Sequence, residues 1–338
     1  MGFLNFPYET YTPSIGPNLT AASDAAVLGR TVLGAGAVLG NLSVIRADGH
    51  DVKIGADFSL GRAGTVHIAH ETLATYIGDG VVVGADAVVH ACTVGASCVI
   101  GAGGVILDGS VLQDGVVMAP GAVAYPRSVL DSGMLYAGAP AKPVRPLEPG
   151  ELEASQAALR AENLGDVTDT AMPRPTPAGD PLFVAANARI SGDVHCAAQT
   201  GIWFGCVLDA GKAAIRIGAR TNVQDNARLT GDAGDIEIGA DVTIGHNVIM
   251  SSCRVAEGSL IGISSRVAPG TVVERNVMLA AGAVTEPGQV LTEGFLWAGN
   301  PARPKRELSA SQSATLLQTI PSYISYAAAF ATSQADAV

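Results

Sequence analysis

From Ile77 onward an aliphatic residue returns at six-residue steps, all but one: Ile77, Val83, Val89, Val94, Ile100, Ile106, Leu112, Met118. The series comes back as Ile238, Ile244, Met250, Val255, Ile261, Val267, Val273, Leu279, each member 161 positions later. Small or polar residues fill the gaps. Both runs also take one five-residue step, Val89 to Val94 and Met250 to Val255. A hexapeptide period of this kind predicts a parallel β-helix of short strands, three to a coil, with each aliphatic pointing into a triangular core. The shared short step marks the two runs as duplicates.

The first copy begins loosely near Ala25, already at hexad spacing through Leu33, Leu39 and Ile45, and continues to the segment Tyr136–Pro143. Its prolines remove ladder donors and are expected to end the coils. Pro149–Leu164 reads as a helix with an acidic first turn, packing back along the wall. Residues 165–181, rich in Pro, Thr, Ala, Gly and Asp, read as a linker. The second copy ends in Leu296-Trp-Ala-Gly-Asn-Pro-Ala-Arg-Pro and is followed by a helix over Ser309–Phe330, with the last eight residues expected to fray. The fold class is therefore β: two tandem parallel β-helix domains, 1–164 and 182–338, each followed by a C-terminal α-helix.

Composition supports a solenoid. Apolar residues make up 48% of the chain but aromatics only 5%, and there are 41 glycines. Small aliphatics stack in coils, and glycine suits their tight corners. A net charge of −11 argues against nucleic acid or an anionic membrane as partner. No apolar run approaches membrane-spanning length. Met1–Thr20 has neither the basic region nor the apolar stretch of a signal peptide. The five cysteines, Cys92, Cys98, Cys196, Cys206 and Cys253, are scattered and show no paired spacing. They read as free thiols used as small core hydrophobes in a reducing compartment. The expectation is a cytoplasmic protein.

Flat prism walls make no pocket alone, so chemistry is expected in clefts between prisms, at polar residues that interrupt the hexads. In the first copy these are Arg46 and Asp48 in VIRAD, His67, His70 and Glu71 in TVHIAHE, and His90 in VVHAC. In the second they are Asn222, Gln224 and Asp225 in RTNVQD, and His246 in TIGHN. Across nearly the full length these motifs resemble the γ-class carbonic anhydrases, whose pattern runs V-I-R-x-D, T-N-x-Q-D-x-x-x-x-H, G-H-x-x-x-x-H, then coils, a Gly-x-Pro exit and a helix. The resemblance implies left-handed prisms packed in threes, with three histidines holding a catalytic metal, usually zinc, between two prisms. The first and third histidines come from one prism and the middle one from its neighbour. Geometry agrees with that division: a strand face spans about six residues, so positions five apart lie around a corner.

Neither copy carries the whole pattern. The first keeps Arg46, Asp48, His67 and His90 but has Ala85 at the middle histidine and Ser59, Gly61 and Arg62 at the Asn, Gln and Asp positions. The second keeps Asn222, Gln224, Asp225 and His246 but has Thr230 and Ser251 at the outer histidines and Asp209-Ala-Gly211 at the Arg-x-Asp position. As facing walls they supply one full set, with His67, His90 and His246 as metal ligands. The resemblance gives Gln224 the role of orienting water or an oxyanion, and His70 with Glu71 that of a proton shuttle. Arg46, Asp48, Asn222 and Asp225 would hold the interface, with Arg46 meeting Asp225; Arg62 and Asp209 would form the sign-exchanged pair at the other cleft. His50 and His195 fall outside the pattern and are expected at the surface.

Three neutral imidazoles leave a tetrahedral metal one open position. The resemblance therefore implies a zinc-dependent lyase that uses zinc-bound hydroxide for reversible CO2 hydration. Iron or cobalt would suit the same ligands. Hydrolysis of another substrate such as a thioester, CoA-dependent acyl transfer, and a non-catalytic scaffold stay open. The expected partners are CO2 and bicarbonate or a small acyl compound, with a homo-oligomer built from β-helix trimers.

Overall fold

The structure is a computed structural model and describes residues 2–169 and 177–336. It falls into two compact units, Met1–Ala171 and Met172–Val338.

In the first unit each coil lays short parallel strands on three faces. One face stacks Thr65–His67, Val88–His90, Val105–Ile106 and Val123–Ala124. The next stacks Thr75–Ile77, Thr93–Val94, Val111–Leu112 and Val129–Leu130, and the long strand Val44–Ile54 joins both. The third stacks Ser59–Leu60, Val82–Val83, Val99–Ile100, Val117–Met118 and Met134–Ala137. Register puts like on like: Val89 pairs with Val66 and Ile106, and Ile100 with Val83 and Met118. Every hexad aliphatic from Ile77 to Met118 is buried. Each such burial is worth about 1.5–3 kcal/mol, and Phe58 and Tyr136 join the aliphatics in this core. The five-residue step is a corner one residue shorter, turned by Ala91 at φ 47° immediately after His90.

The second unit repeats the plan. Arg228–Thr230, Ile249–Ser251 and Arg266–Val267 form one face, Ile236–Ile238, Arg254–Val255, Val272–Val273 and Val290–Leu291 the next. Asn222–Val223, Thr243–Ile244, Leu260–Ile261 and Met278–Leu279 lie on the third. Its hexad aliphatics from Ile238 to Leu279 are likewise buried, and its short corner is turned by Ser252 at φ 41°. The chain is thus a hexapeptide-repeat parallel β-solenoid.

The proline segments end the parallel coils but do not end strand structure. In both units the chain folds back as an antiparallel edge strand, Lys142–Pro146 on Met134–Ala137 and Arg303–Glu307 on Phe295–Ala298. Both returning strands are exposed along their whole length, the edge position in which proline is tolerated.

Helix α1 (Glu151–Gly165) lies on the third face of the first unit, against Val38–Leu39, Ser59–Leu60, Val82–Val83 and Val99–Ile100. Its one buried residue is Asn163, whose Nδ2 donates to Ser59 Oγ (3.0 Å) and Val83 O (2.9 Å). Gln156 Nε2 donates to Gly80 O (2.9 Å). Helix α2 (Ala310–Asp336) buries Leu316, Ile320, Tyr323, Tyr326, Ala327 and Phe330, with Tyr323 edge-on to Trp203 at 5.2 Å. It runs six residues past Phe330, where fraying was expected. Gln334 is the reason: its Nε2 donates to Val184 O (3.0 Å) and its Oε1 accepts from Ala186 N (2.8 Å).

Of the expected linker 165–181, residues 170–176 lie outside the described residues. Gly165 belongs to α1, and Ala178–Gly179 pairs with His195–Cys196 of the second unit. The five cysteines are free and buried, and burial pushes the Cys98 and Cys196 thiols up to about 11. No described helix is long and apolar enough to cross a membrane.

Candidate metal centre

The parallel ladder of the first unit sets His67 directly opposite His90 in consecutive coils. His67 Nδ1 lies 3.4 Å from His90 Nε2. The far nitrogen of each ring faces a carboxylate. His67 Nε2 is 3.2 Å from Asp48 Oδ1, and His90 Nδ1 is 2.6 Å from Asp108 Oδ1. Asp48 also takes Gly49 N–H (3.1 Å) and pairs through its other oxygen with Arg46. Arg46 and Asp48 are buried completely, so their charges are expensive unless satisfied by each other and by neighbours.

These surroundings set protonation. Burial alone would raise the Asp48 carboxyl, but Arg46 and His67 outweigh it and hold the group well below the usual carboxylate range. Burial and then the Arg46 charge push His67 down to about 4, so its imidazole is neutral at pH 7. Burial would likewise raise Asp108, and the adjoining His90 instead keeps it low. A carboxylate that accepts a ring N–H fixes the tautomer, which here would put the proton on Nε2 of His67 and on Nδ1 of His90. The two nitrogens that face one another are then both acceptors. Nitrogen ligands about 2.0–2.1 Å from one tetrahedral ion stand roughly 3.4 Å apart, so this pair has the spacing of two ligands to a single metal.

In the second unit His246 occupies the corner between Thr243–Ile244 and Ile249–Ser251. Gly245 before it runs against the next coil, where an added Cβ would meet Ile263 N at 2.8 Å. His246 Nδ1 is 3.1 Å from Asp225 Oδ2, and the other Asp225 oxygen accepts Phe204 N–H at 3.1 Å. Both side chains are buried. Gln224 Nε2 donates to Asn222 Oδ1 (3.1 Å), and Asn222 Nδ2 donates to Thr243 Oγ1 (3.1 Å). This chain fixes both amides and directs the Gln224 carbonyl oxygen to act as an acceptor.

The remaining residues singled out in the sequence are spread more widely. His70 and Glu71 are exposed on the turn that follows His67, with His70 at φ 43°. Arg62 lies 3.6 Å from Asp86, both partly exposed. Asp209 accepts from Ser191 Oγ (2.8 Å) and Gly211 N (3.1 Å). His195 is exposed, and half-buried His50 accepts a hydrogen bond from Asp51 N. In the second unit Thr230 stands opposite Ser251, the register held by His67 and His90 in the first.

Two features were missed in the sequence. Asp108 went unremarked, although it lies just one residue beyond a full coil from His90: Val89 pairs with Ile106, seventeen residues on because of the five-residue step, and Asp108 sits at the corner that follows. Asp225 was assigned to Arg46 alone, whereas within its own unit it adjoins His246.

No family model matches the chain. Over 160 residues it is 46% identical to gamma carbonic anhydrase 3, mitochondrial, of Arabidopsis thaliana, covering 45% of this chain and 62% of that relative. It is 35% identical to protein YrdA of Escherichia coli over 156 residues, covering 44% of this chain and 85% of YrdA. The solved structure of a candidate acetyltransferase from Desulfovibrio desulfuricans G20 matches with a TM-score of 0.55 at 12% identity, covering 96% of this chain and 80% of that one. Identity so low speaks for the fold alone. The chain spans about six-tenths of the length of the Arabidopsis relatives it matches, 62% and 58%. With the solenoid, the paired motifs and these relatives together, the chain belongs to the γ-carbonic-anhydrase-like hexapeptide-repeat family.

Proposed function

We propose that this chain is a γ-carbonic-anhydrase-like metalloenzyme for reversible CO2 hydration, with one metal, zinc in the first place, held by His67 and His90 of the first unit and His246 of the second. The observation that carries it is the His67–His90 pair, two imidazoles whose facing nitrogens stand 3.4 Å apart with a carboxylate behind each. The second unit offers the matching element, a buried histidine beside Asp225. The metal, when bound, supplies the Lewis acidity that makes water a nucleophile near neutral pH.

The chain's own residues do the rest. Three neutral histidines leave a fourth tetrahedral position for substrate or water. Asp48, Asp108 and Asp225 hold the rings in their ligating orientation. Gln224, its amide fixed by Asn222, orients the reacting molecule. Exposed His70, with Glu71, passes protons between the site and solvent. Arg46 completes the buried wall through Asp48, and Arg62 with Asp209 marks the surfaces that lack histidines.

Metal analysis and stopped-flow CO2 hydration on the wild type and on His246→Ala test this. The expected result is one metal per chain and hydration activity, both lost in the variant. Bound metal without hydration would refute the CO2 reaction and leave another substrate, such as a thioester, for the same centre. Two metals per chain would refute the mixed ligand set. Acyl transfer from CoA in metal-free protein would refute the metalloenzyme altogether.

A further inference from the structure

The duplication supplies an internal control on the three carboxylates. Each histidine of the proposed ligand set has an aspartate at its second ring nitrogen: Asp48 at His67 (3.2 Å), Asp108 at His90 (2.6 Å) and Asp225 at His246 (3.1 Å). Where the other copy has lost the histidine, it has lost the aspartate as well. Thr230 replaces His67 and Gly211 replaces Asp48; Ser251 replaces His90 and Pro269 replaces Asp108; Ala85 replaces His246 and Arg62 replaces Asp225. Aspartates that serve the coil corners behave differently, capping backbone rather than rings: Asp79 accepts Ala56 N and Asp114 accepts Ala96 N, both at 2.7 Å. Asp108 stands at the corner of the next coil, two residues past Ile106, the ladder partner of Val89, and could be taken for another such cap. Its carboxylate, 44% exposed, instead faces the imidazole.

We infer that Asp108 is a positioning residue of the metal centre, which fixes His90 in the Nδ1–H tautomer and so presents Nε2 as a ligand. The inference rests on the proposed metal site but makes a statement about His90 that holds before any metal binds. Asp48 and Asp225 are buried and tied to other groups, Arg46 and Phe204 N, so they are bound into the fold as well. Asp108 is the member of the three that can be changed from the solvent side.

The test uses full-length, metal-free chain labelled with 15N-histidine, as wild type, Asp108→Ala and Asp108→Asn, with Asp114→Asn as a corner control. Long-range 1H–15N correlation reads the His90 tautomer, and zinc affinity is measured by chelator competition. Wild type and Asp108→Asn, which keeps an acceptor, are expected to hold His90 as Nδ1–H, while Asp108→Ala loses that preference. Zinc affinity is expected to fall about 10- to 100-fold in Asp108→Ala and to recover largely in Asp108→Asn. Asp114→Asn should match the wild type in both. An Nε2–H tautomer in the wild type, or an unchanged tautomer in Asp108→Ala, overturns the inference whether or not zinc binds. Wild type that holds the Nδ1–H tautomer but binds no zinc overturns the metal site and leaves the positioning of His90 standing.

Discussion

His67 is neutral and buried in the folded chain, and that has a price in acid which can be worked out. Its folded value of about 4 lies below the ordinary 6.5, because burial and Arg46 oppose the charged form. Between those two values the unfolded chain takes up a proton that the folded chain refuses. Stability therefore rises with pH through this window: the contribution is complete above 6.5 and is lost as pH falls towards 4. The gap corresponds to about 3 kcal/mol. His67 is 2% exposed, so solvent screening takes little from that figure. In metal-free protein, urea unfolding followed by hydrogen-exchange mass spectrometry of the Thr65–His67 and Val88–His90 segments, at pH 7 and at pH 4.5, reads the effect. Wild type should lose about 2–3 kcal/mol more than His67→Gln over this interval, since glutamine does not titrate. Equal losses in the two proteins would show that His67 is not held neutral by its surroundings. The assignment of its Nε2 proton to Asp48 would fall with it.

Three further outcomes follow from the packing. Replacing Asn163 by Ala takes one donor from buried Ser59 Oγ and leaves Val83 O only the Gly61 N–H, and should cost the first unit roughly 1–3 kcal/mol in urea denaturation; a loss below measurement would mean that α1 docks through other contacts. Ile100→Ala, in the fully buried hexad column, should cost about 2–5 kcal/mol in the same assay, and a smaller effect would show that the coil collapses around the cavity. The five buried thiols should react with Ellman's reagent only after denaturation; fast native reaction of Cys98, whose thiol is pushed up to about 11, would contradict its place in the core.

The fold was legible because a period of six is a geometric statement: it fixes three faces per coil and which residue points inward, and every hexad aliphatic from Ile77 to Met118 is buried accordingly. What depends on contacts far along the chain was not. The last turns of α2 persist through Gln334, whose partners Val184 and Ala186 lie 150 and 148 positions away. The returning edge strands were hidden by their prolines, which forbid a central strand but not an exposed one. Asp48 on His67 was within reach, because residues 46 and 48 of one strand share a face. Asp108 was not recognised, because a single aspartate at a corner looks like any solvated turn residue until its distance from His90 is counted in coils.

Why two copies could diverge so cleanly follows from the same geometry. A coil is held by inward aliphatics and by ladder bonds from its backbone, neither of which involves an outward side chain. His67 and Thr230, or His90 and Ser251, can therefore exchange at equivalent rungs while the ladder beneath them keeps its register. A corner is stricter, since Gly245 touches the coil above, yet the residue after it varies between His246 and Ala85. The ladder itself therefore does not require any particular residue at these rungs. At all three positions the aspartate goes with the histidine: each histidine that is kept has its aspartate beside it, and each equivalent position without the histidine lacks the aspartate too.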